Sequence, residues 1–495
     1  MSAKYYLAMD FGASTGRGIL GKLDGEKLEL QEVHRFQNYY VPVQGKCYWD
    51  IFRLFHEILV SCRKAKAVCG GNLVSLGIDT WGTDYGLIDR TGQLIGSCRC
   101  MRNADSIFVD LIQEKITPEE LFYRTGIQTI YGNTLFQLFE REYCKDPALK
   151  EASNLLMLPD LLAYFLTGEM RHEYTMVSTS MMYNHRDKQW DRDMLRSLGL
   201  PEEIYSDIVM PGTVHFDVVP DVLEETGLEK LKYVPVGTHD TASAVAAAPL
   251  HENEAFCSSG TWSLLGIELE KPIIDKTVYE ANFSNEGTVD GGVRLLKNIM
   301  GMWILQQVVK ELESQQIFYS WDEIVKQASA AEPFRSFIDV ESPEFYQAGN
   351  MTGKIRGYCE RSCQAVPQSV GELARCVYES LAMQYRITFR KLEEIAGHSL
   401  DALRIVGGGS QNRMLNQFAA NAIGKPVFTG PVESACIGNL LVQAKEDGEI
   451  GSFREIRRIV ENNFETEKFV PVDCGLWDRG FISYMEAVDK VQDHR

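Results

Sequence analysis

No apolar run in this sequence approaches the roughly 20 residues that a membrane span requires, so an integral membrane protein is not expected. The opening "MSAKYYLAMDFG" has no signal-type apolar stretch or cleavage site, which predicts a cytoplasmic location. There is no basic block either, and the formal net charge is −19. That charge argues against nucleic-acid and anionic-membrane partners. It does not argue against a phosphate ligand, because backbone donors bind phosphate without a basic surface. The twelve cysteines form no CxxC pair, and "CRC" at Cys98–Cys100 has no histidines at ligand spacing. Free thiols are therefore expected rather than a zinc site, with one bridge possible among Cys359, Cys363 and Cys376. Low-complexity segments are absent.

Two phosphate-binding motifs are missing as well. "GNMTGKI" at Gly349 has too few residues between its glycines for a P-loop, and Ile355 replaces the required hydroxyl. "GGGSQN" places Asn412 where a dinucleotide fingerprint needs its third glycine, and the following "KPVFTG" offers no acid for a ribose. A nicotinamide enzyme is not expected.

What remains is a balanced globular composition, 45% hydrophobic and 24% charged over 495 residues. At about 100–200 residues per domain this suggests two large domains, with a boundary where "PLHENE" interrupts a small-residue helix at Pro249–Glu254. "YLAMDFG" and "RGILGKL" read as strands around a small-residue tip, "DGEK" as a turn and "LELQEVHRF" as a third strand. "EAFCSSGTWSLLGIEL" repeats that punctuation later in the chain, so a duplicated architecture is expected. "LVSLGIDTWGTDYGLIDRTGQLI" reads as a strand, an acidic tip and a returning strand. "ELARCVYESLAMQYRITFRKLEEIAG" is a long amphipathic helix stopped by glycine.

Four stretches carry residues suited to chemistry. In "MDFGASTGRG" the turn can aim backbone N–H groups at an anion, with Arg17 beside it, while Asp10 can hold magnesium through water. An ordinary hairpin turn with a buried capping acid fits the same residues. "GIDTWGTD" gathers Asp79, Thr80, Trp81 and Asp84, the acids, hydroxyl and ring face that a polyol needs, although tryptophan also fills cores. "IVGGGSQN" offers a bare backbone edge at a helix start, either for a base or ribose or for close packing. In "YVPVGTHDTASAVAAAP", His239, Asp240 and Thr241 fall between an expected strand and helix. Asp240 or Thr241 can cap that helix; equally, Asp240 facing a cleft can take a proton from a substrate hydroxyl. The alanines would let the helix approach another domain closely.

Taken in order, "DFGASTGR", "GIDTWGTDYGLID", "LMLPDLLAYFLTG", "THDTASAV", "SSGTWSLLG", "LKNIMGMWILQ" and "IVGGGSQNRMLNQFAANA" resemble the FGGY family of carbohydrate kinases. The resemblance implies an α/β fold of two ribonuclease-H-like, actin/hexokinase-type domains flanking a deep catalytic cleft. Residues 1–249 would bind sugar and phosphate, and residues 250–495 the nucleotide. It implies Asp240 as catalytic base, Asp10 facing Mg²⁺, and ATP as donor, held by Ala13, Ser14, Thr15, Gly16, Arg17, Thr261, Gln306, Gly408 and Asn412. Gly82, His239, Asp240, Thr241 and Asn298 would hold the sugar. "IDTWGTD", "HDTASAV" and "LKNIMGMW" are similar to the branch that phosphorylates L-rhamnulose on its C1 hydroxyl. A kinase for another ketose such as L-fuculose, or a non-catalytic nucleotide-dependent sugar sensor, stays open. The partner would be a small ketose, and the assembly a monomer or small homo-oligomer.

Overall fold

In the computed structural model, which describes residues 3–492, the opening strands form a hairpin. Strand β1 (Lys4–Phe11) pairs antiparallel with β2 (Thr15–Asp24), and β2 pairs with β3 (Lys27–Gln37). Helix α1 (Ile51–Cys69) is capped by Asp50, which accepts the Arg53 N–H, and ends at Gly70 with φ 63°. It leads into β4 (Leu73–Thr80), parallel to β1. Strand Lys232–Tyr233 continues the sheet beyond β4, and Phe216–Asp217 closes it.

Period-two alternation of side chains sorts β1 between two cores. Leu7, Met9 and Phe11 join Leu54, Ile58 and Cys62 of α1, while Tyr6 and Ala8 face Cys436, Ile437 and Leu440 of helix α3 (Ser434–Glu446). Each such fully buried leucine or isoleucine is worth about 1.5–3 kcal/mol. By the same parity Asp10 lies on the α3 face.

Two expectations are corrected here. "YVPVG" is laddered only at Lys232–Tyr233; Pro235 has no N–H to give. The chain still runs along β4, with Val234 N–H donating to Leu76 O and Thr80 N–H to Thr238 O. Tyr85–Asp89 does not return against β4 but pairs with Leu94–Ile95 and Ala152–Met157 in a separate three-stranded sheet. Between the two strands Thr83 takes a φ of 76°.

Helix α2 (Asp240–Ala246) packs on α3, where Gly438 meets Ser243 so closely that a Cβ would stand 2.7 Å from the Ser243 carbonyl carbon. The small residues of "TASAVAAA" thus serve a helix contact inside one unit. That unit runs through Pro249 and takes in Glu268–Leu295 and Ser434–Phe464.

The second unit holds Leu250–Ile267, Leu296–Glu433 and the chain from Glu465 on. Its hairpin, Glu254–Ser259 with the strand that starts at Trp262, is followed by Ala402–Val406 parallel to the first strand and Val427–Thr429 parallel to that. This repeats the β2, β1, β4 order of the first unit, as the two similar hairpins suggested. The expected long helix spans Val370–Ala396, opened by a Ser369/Glu372 capping box and closed at Gly397.

Candidate active site

Parallel pairing sets Asp10 of β1 beside Asp79 of β4, and antiparallel pairing sets Arg17 of β2 on Asp10's other side. Arg17 Nη2 donates to Asp10 Oδ2 at 2.7 Å, and the Cys436 thiol approaches the same oxygen at 3.6 Å. Asp79 is fully buried. Its Oδ2 accepts from Asn439 Nδ2 at 2.6 Å, Asn439 Oδ1 accepts from Gln443 Nε2 at 2.7 Å, and Gln443 Oε1 accepts from Ser75 Oγ at 2.7 Å. Among the described residues, no hydrogen bond reaches Asp79 Oδ1. Burial, then the charge of Asp10, pushes the Asp79 carboxyl well above the usual carboxylate range, against the pull of the Asn439 amide.

Asp240 is the first residue of α2, not its cap, and its side chain remains 35% exposed. Its Oδ1 accepts from the Thr241 N–H at 2.5 Å and from the Thr241 hydroxyl at 3.1 Å. Burial and the charge of Asp10 push its pKa up to about 7, partly offset by those two bonds. His239 is buried, with Nε2 3.7 Å from Asp240 Oδ1. Burial, then the charge of Arg294, holds the ring well below the usual histidine range, so it is neutral. A Cβ on Gly82 would come within 3.4 Å of His239 Nε2, so that glycine adjoins the ring.

The His239–Asp240 junction is gripped from behind by Glu173. Its buried carboxylate accepts from the Thr175 and Met176 N–H groups, from the Thr175 hydroxyl, and from Thr238 N–H and Oγ1 at 3.1 and 2.6 Å. Burial raises its pKa to about 7 despite those bonds.

Asp84 is not free for a ligand. Trp49 Nε1 and Trp81 Nε1 donate to its Oδ2 at 2.6 and 2.8 Å, and burial outweighs those donors to raise its pKa to about 6. It fixes the half-buried Trp81 ring, whose centroid lies 4.3 Å from that of Trp49. Thr83 is β-branched with a positive φ, a costly state that persists only where neighbours over-determine it. Here Thr134 Oγ1 and Gln137 Nε2 both donate to its carbonyl.

The tip of the first hairpin leaves Ala13, Ser14 and Thr15 exposed, braced by Gly12 N–H donating to Thr15 O and Asn38 Nδ2 to Gly12 O, both at 2.9 Å. Gly16 is buried against the Phe36 ring, which excludes any Cβ. In the second unit, Trp303 N–H donates to Thr261 O, and Gln306 lies one turn further along that helix. Asn298 is half-buried in strand Val293–Met300. The three glycines divide their work. Gly407 takes φ 82° and Gly409 presses on Ser259, but Gly408 is exposed, and among the described residues a Cβ there would meet nothing within 4 Å. Asn412 caps helix Arg413–Ile423 through Oδ1, which accepts the Leu415 N–H at 3.0 Å, and its side chain also interacts with the Tyr378 hydroxyl.

The neighbouring carboxyls of Asp10 and Asp79 supply hard oxygen donors that, with both groups ionised, suit a largely hydrated magnesium ion. Among the described residues, no group of three or more His, Cys, Asp or Glu side chains could hold a metal ion alone. Also among them, no helix is long and apolar enough to cross a membrane. Sequence reasoning missed Glu173, Glu286, Arg294 and Asn439. The available signals were a lone arginine in the apolar strand "VRLLKNIM" and two amides four apart, Asn439 and Gln443, on an apolar helix.

Residues 5–247 match the model of the FGGY family of carbohydrate kinases, N-terminal domain, and residues 255–446 that of its C-terminal domain. The chain is 38% identical over 485 residues to a rhamnulokinase of Bacteroides thetaiotaomicron, covering 98% of this chain and 99% of the relative. It is 37% identical over 489 residues to a rhamnulokinase of Bacillus subtilis, with 98% and 99% covered. Among solved structures, a ligand-bound xylulose kinase from Lactobacillus acidophilus matches with TM-score 0.82 at 15% identity, over 99% of this chain and 98% of that one. Glycerol kinase of Plasmodium falciparum with ADP matches with TM-score 0.76 at 15% identity, over 99% and 98%. At that identity the likeness is one of fold.

Proposed function

Since the chain belongs to the FGGY family of carbohydrate kinases, we propose that it transfers the terminal phosphoryl group of ATP to the C1 hydroxyl of L-rhamnulose, in the breakdown of L-rhamnose. It is an enzyme of the kinase class, and its fold is the two-domain, mixed α/β, actin/hexokinase-like architecture of xylulose and glycerol kinases. The rhamnulose assignment is carried by the full-length similarity to rhamnulokinases. A cytoplasmic location and a monomeric or small homo-oligomeric state, without nucleic-acid partners, go with this reading.

Phosphoryl transfer asks a protein chiefly to position reactants and to balance charge. Asp240 is the proposed general base: it is partly exposed, poised near neutrality, and held by Thr241 and by the Glu173 grip on Thr238. Gly82, His239, Thr241 and Asn298 would orient the ketose. Thr241 does so in part through Asp240, toward which its hydroxyl is turned. The exposed Ala13–Thr15 backbone, with Gly16 and Arg17, would take the ATP phosphates. Asp10 would face magnesium, which when bound would neutralise phosphate charge. Thr261, Gln306, Gly408 and the Asn412 amide are the proposed nucleotide contacts of the second unit.

Purified protein with ATP and magnesium is expected to release ADP fastest with L-rhamnulose among a panel of ketoses. A strong preference for L-fuculose would move the assignment to that sugar, and sugar-independent silence would favour a sensor. Gly408→Ala tests the nucleotide side. The fold has room for the methyl, so Tm should not move. Overlap with a bound base or ribose, at about 1–3 kcal/mol for overpacking, should raise KM for ATP roughly 5- to 150-fold. An unchanged KM would remove Gly408 from that surface.

A further inference from the structure

Behind His239 lies a buried cation. Arg294 is completely enclosed, with Nε donating to Gly287 O at 2.9 Å and Nη2 placed 3.4 Å from both His239 Nδ1 and Glu286 Oε2. Glu286 Oε2 is itself 3.6 Å from His239 Nδ1. On the opposite edge of the ring, Nε2 looks toward Asp240 Oδ1 and Gly82, and the His239 N–H donates to Thr175 Oγ1 at 3.4 Å. A guanidinium carries donors only, and Arg294 Nη2 at 3.4 Å lies nearer to Nδ1 than the acceptor Glu286 Oε2 at 3.6 Å, so the shorter contact points to the lone pair on Nδ1. The ring proton then sits on Nε2.

We propose that Arg294, steadied by Glu286, is a positioning residue that fixes His239 as its neutral Nε2–H tautomer. The consequence follows from the proposed sugar-kinase reading, although the tautomer itself does not depend on it. With the proton on Nε2, the ring offers the ketose a donor beside Asp240, and the carboxylate is the single proton acceptor there. With the proton on Nδ1, an imidazole lone pair would face the Asp240 carboxylate and compete with it for the hydroxyl proton. Burial and the adjacent guanidinium also oppose a doubly protonated ring. The charged groups around this ring are therefore Arg294 and Glu286 on one edge and Asp240 on the other.

The test is tautomer assignment by long-range ¹⁵N–¹H correlation on ¹⁵N-histidine-labelled full-length protein, with His239 identified by its loss in His239→Gln. The wild type is expected to show Nε2–H. In Arg294→Met/Glu286→Gln, which removes both buried charges together, the ring should populate both tautomers. There kcat/KM for L-rhamnulose should fall about tenfold, the worth of one hydrogen bond, with KM for ATP unchanged. Arg294→Lys keeps a donor-only cation and should retain Nε2–H. An Nδ1–H ring in the wild type overturns the proposal, as does an unaltered tautomer in the double variant. If the double variant does not fold, the wild-type and Arg294→Lys spectra still decide. Wild-type protein inactive on L-rhamnulose would defeat the substrate assignment while leaving the tautomer result standing.

Discussion

Asp240→Asn is expected to lower turnover by about 10²–10⁴-fold, the usual reach of a positioned general base. The same substitution should raise Tm at pH 8. The sign follows from the direction of the Asp240 shift: its folded pKa of about 7 lies above the roughly 3.9 of an unfolded aspartate. The fold therefore holds the Asp240 proton more tightly than the unfolded chain does. Ionising that carboxyl costs stability that grows as pH rises from about 4 to about 7 and is constant above. Asparagine keeps an oxygen for the Thr241 N–H without the charge, so its stability gain should be full at pH 8 and vanish near pH 4. In the wild type, kcat/KM for the sugar should climb with pH and level off above about 7, where the base is ionised. Turnover within tenfold of wild type would take Asp240 out of the reaction, and an unchanged Tm at pH 8 would contradict the burial of its charge and its crowding by Asp10.

These features were unequally visible in the sequence. Local signals read correctly where strand, turn and helix cap are made by neighbours in the chain. The hairpin tip at Gly12–Thr15, the glycine-stopped helix ending at Ala396 and the junction at His239–Asp240 are of that kind. Residues whose meaning depends on distant partners were silent. Asn439 gains its role only when α3, some 360 positions after Asp79, lies across β1 and β4. Arg294 looks like an interruption of an apolar strand until His239 and Glu286 surround it. Asp84 was legible as a polar residue in the right loop, yet two indole N–H groups occupy it, which no spacing rule reveals. "YVPVG" misled through its apolar character, because Pro235 cannot join a ladder that its side chain nonetheless suits.

Gly438→Ala should be nearly as damaging as loss of the base, although Gly438 is not among the residues we assign to the site. Alanine would be favoured over glycine in an open helix by about 0.5–1 kcal/mol. Here its methyl would fall inside the contact envelope of the Ser243 carbonyl oxygen, and backbone cannot rotate away as a side chain can. The two helices must separate, at a cost of about 1–3 kcal/mol or more for overpacking. Ser243 is one turn beyond Asp240 on the same seven-residue helix, so moving it carries the carboxylate along. A displacement of about 1 Å in a positioned group is worth about 10²-fold in rate. The expected result is a lowered Tm together with kcat reduced about 10²-fold. Normal turnover at a lowered Tm would mean that α2 yields elsewhere and holds Asp240 in place. Normal values of both would mean that the helices do not approach this closely, and the close α2–α3 contact as the reason for the alanine run would have to be abandoned.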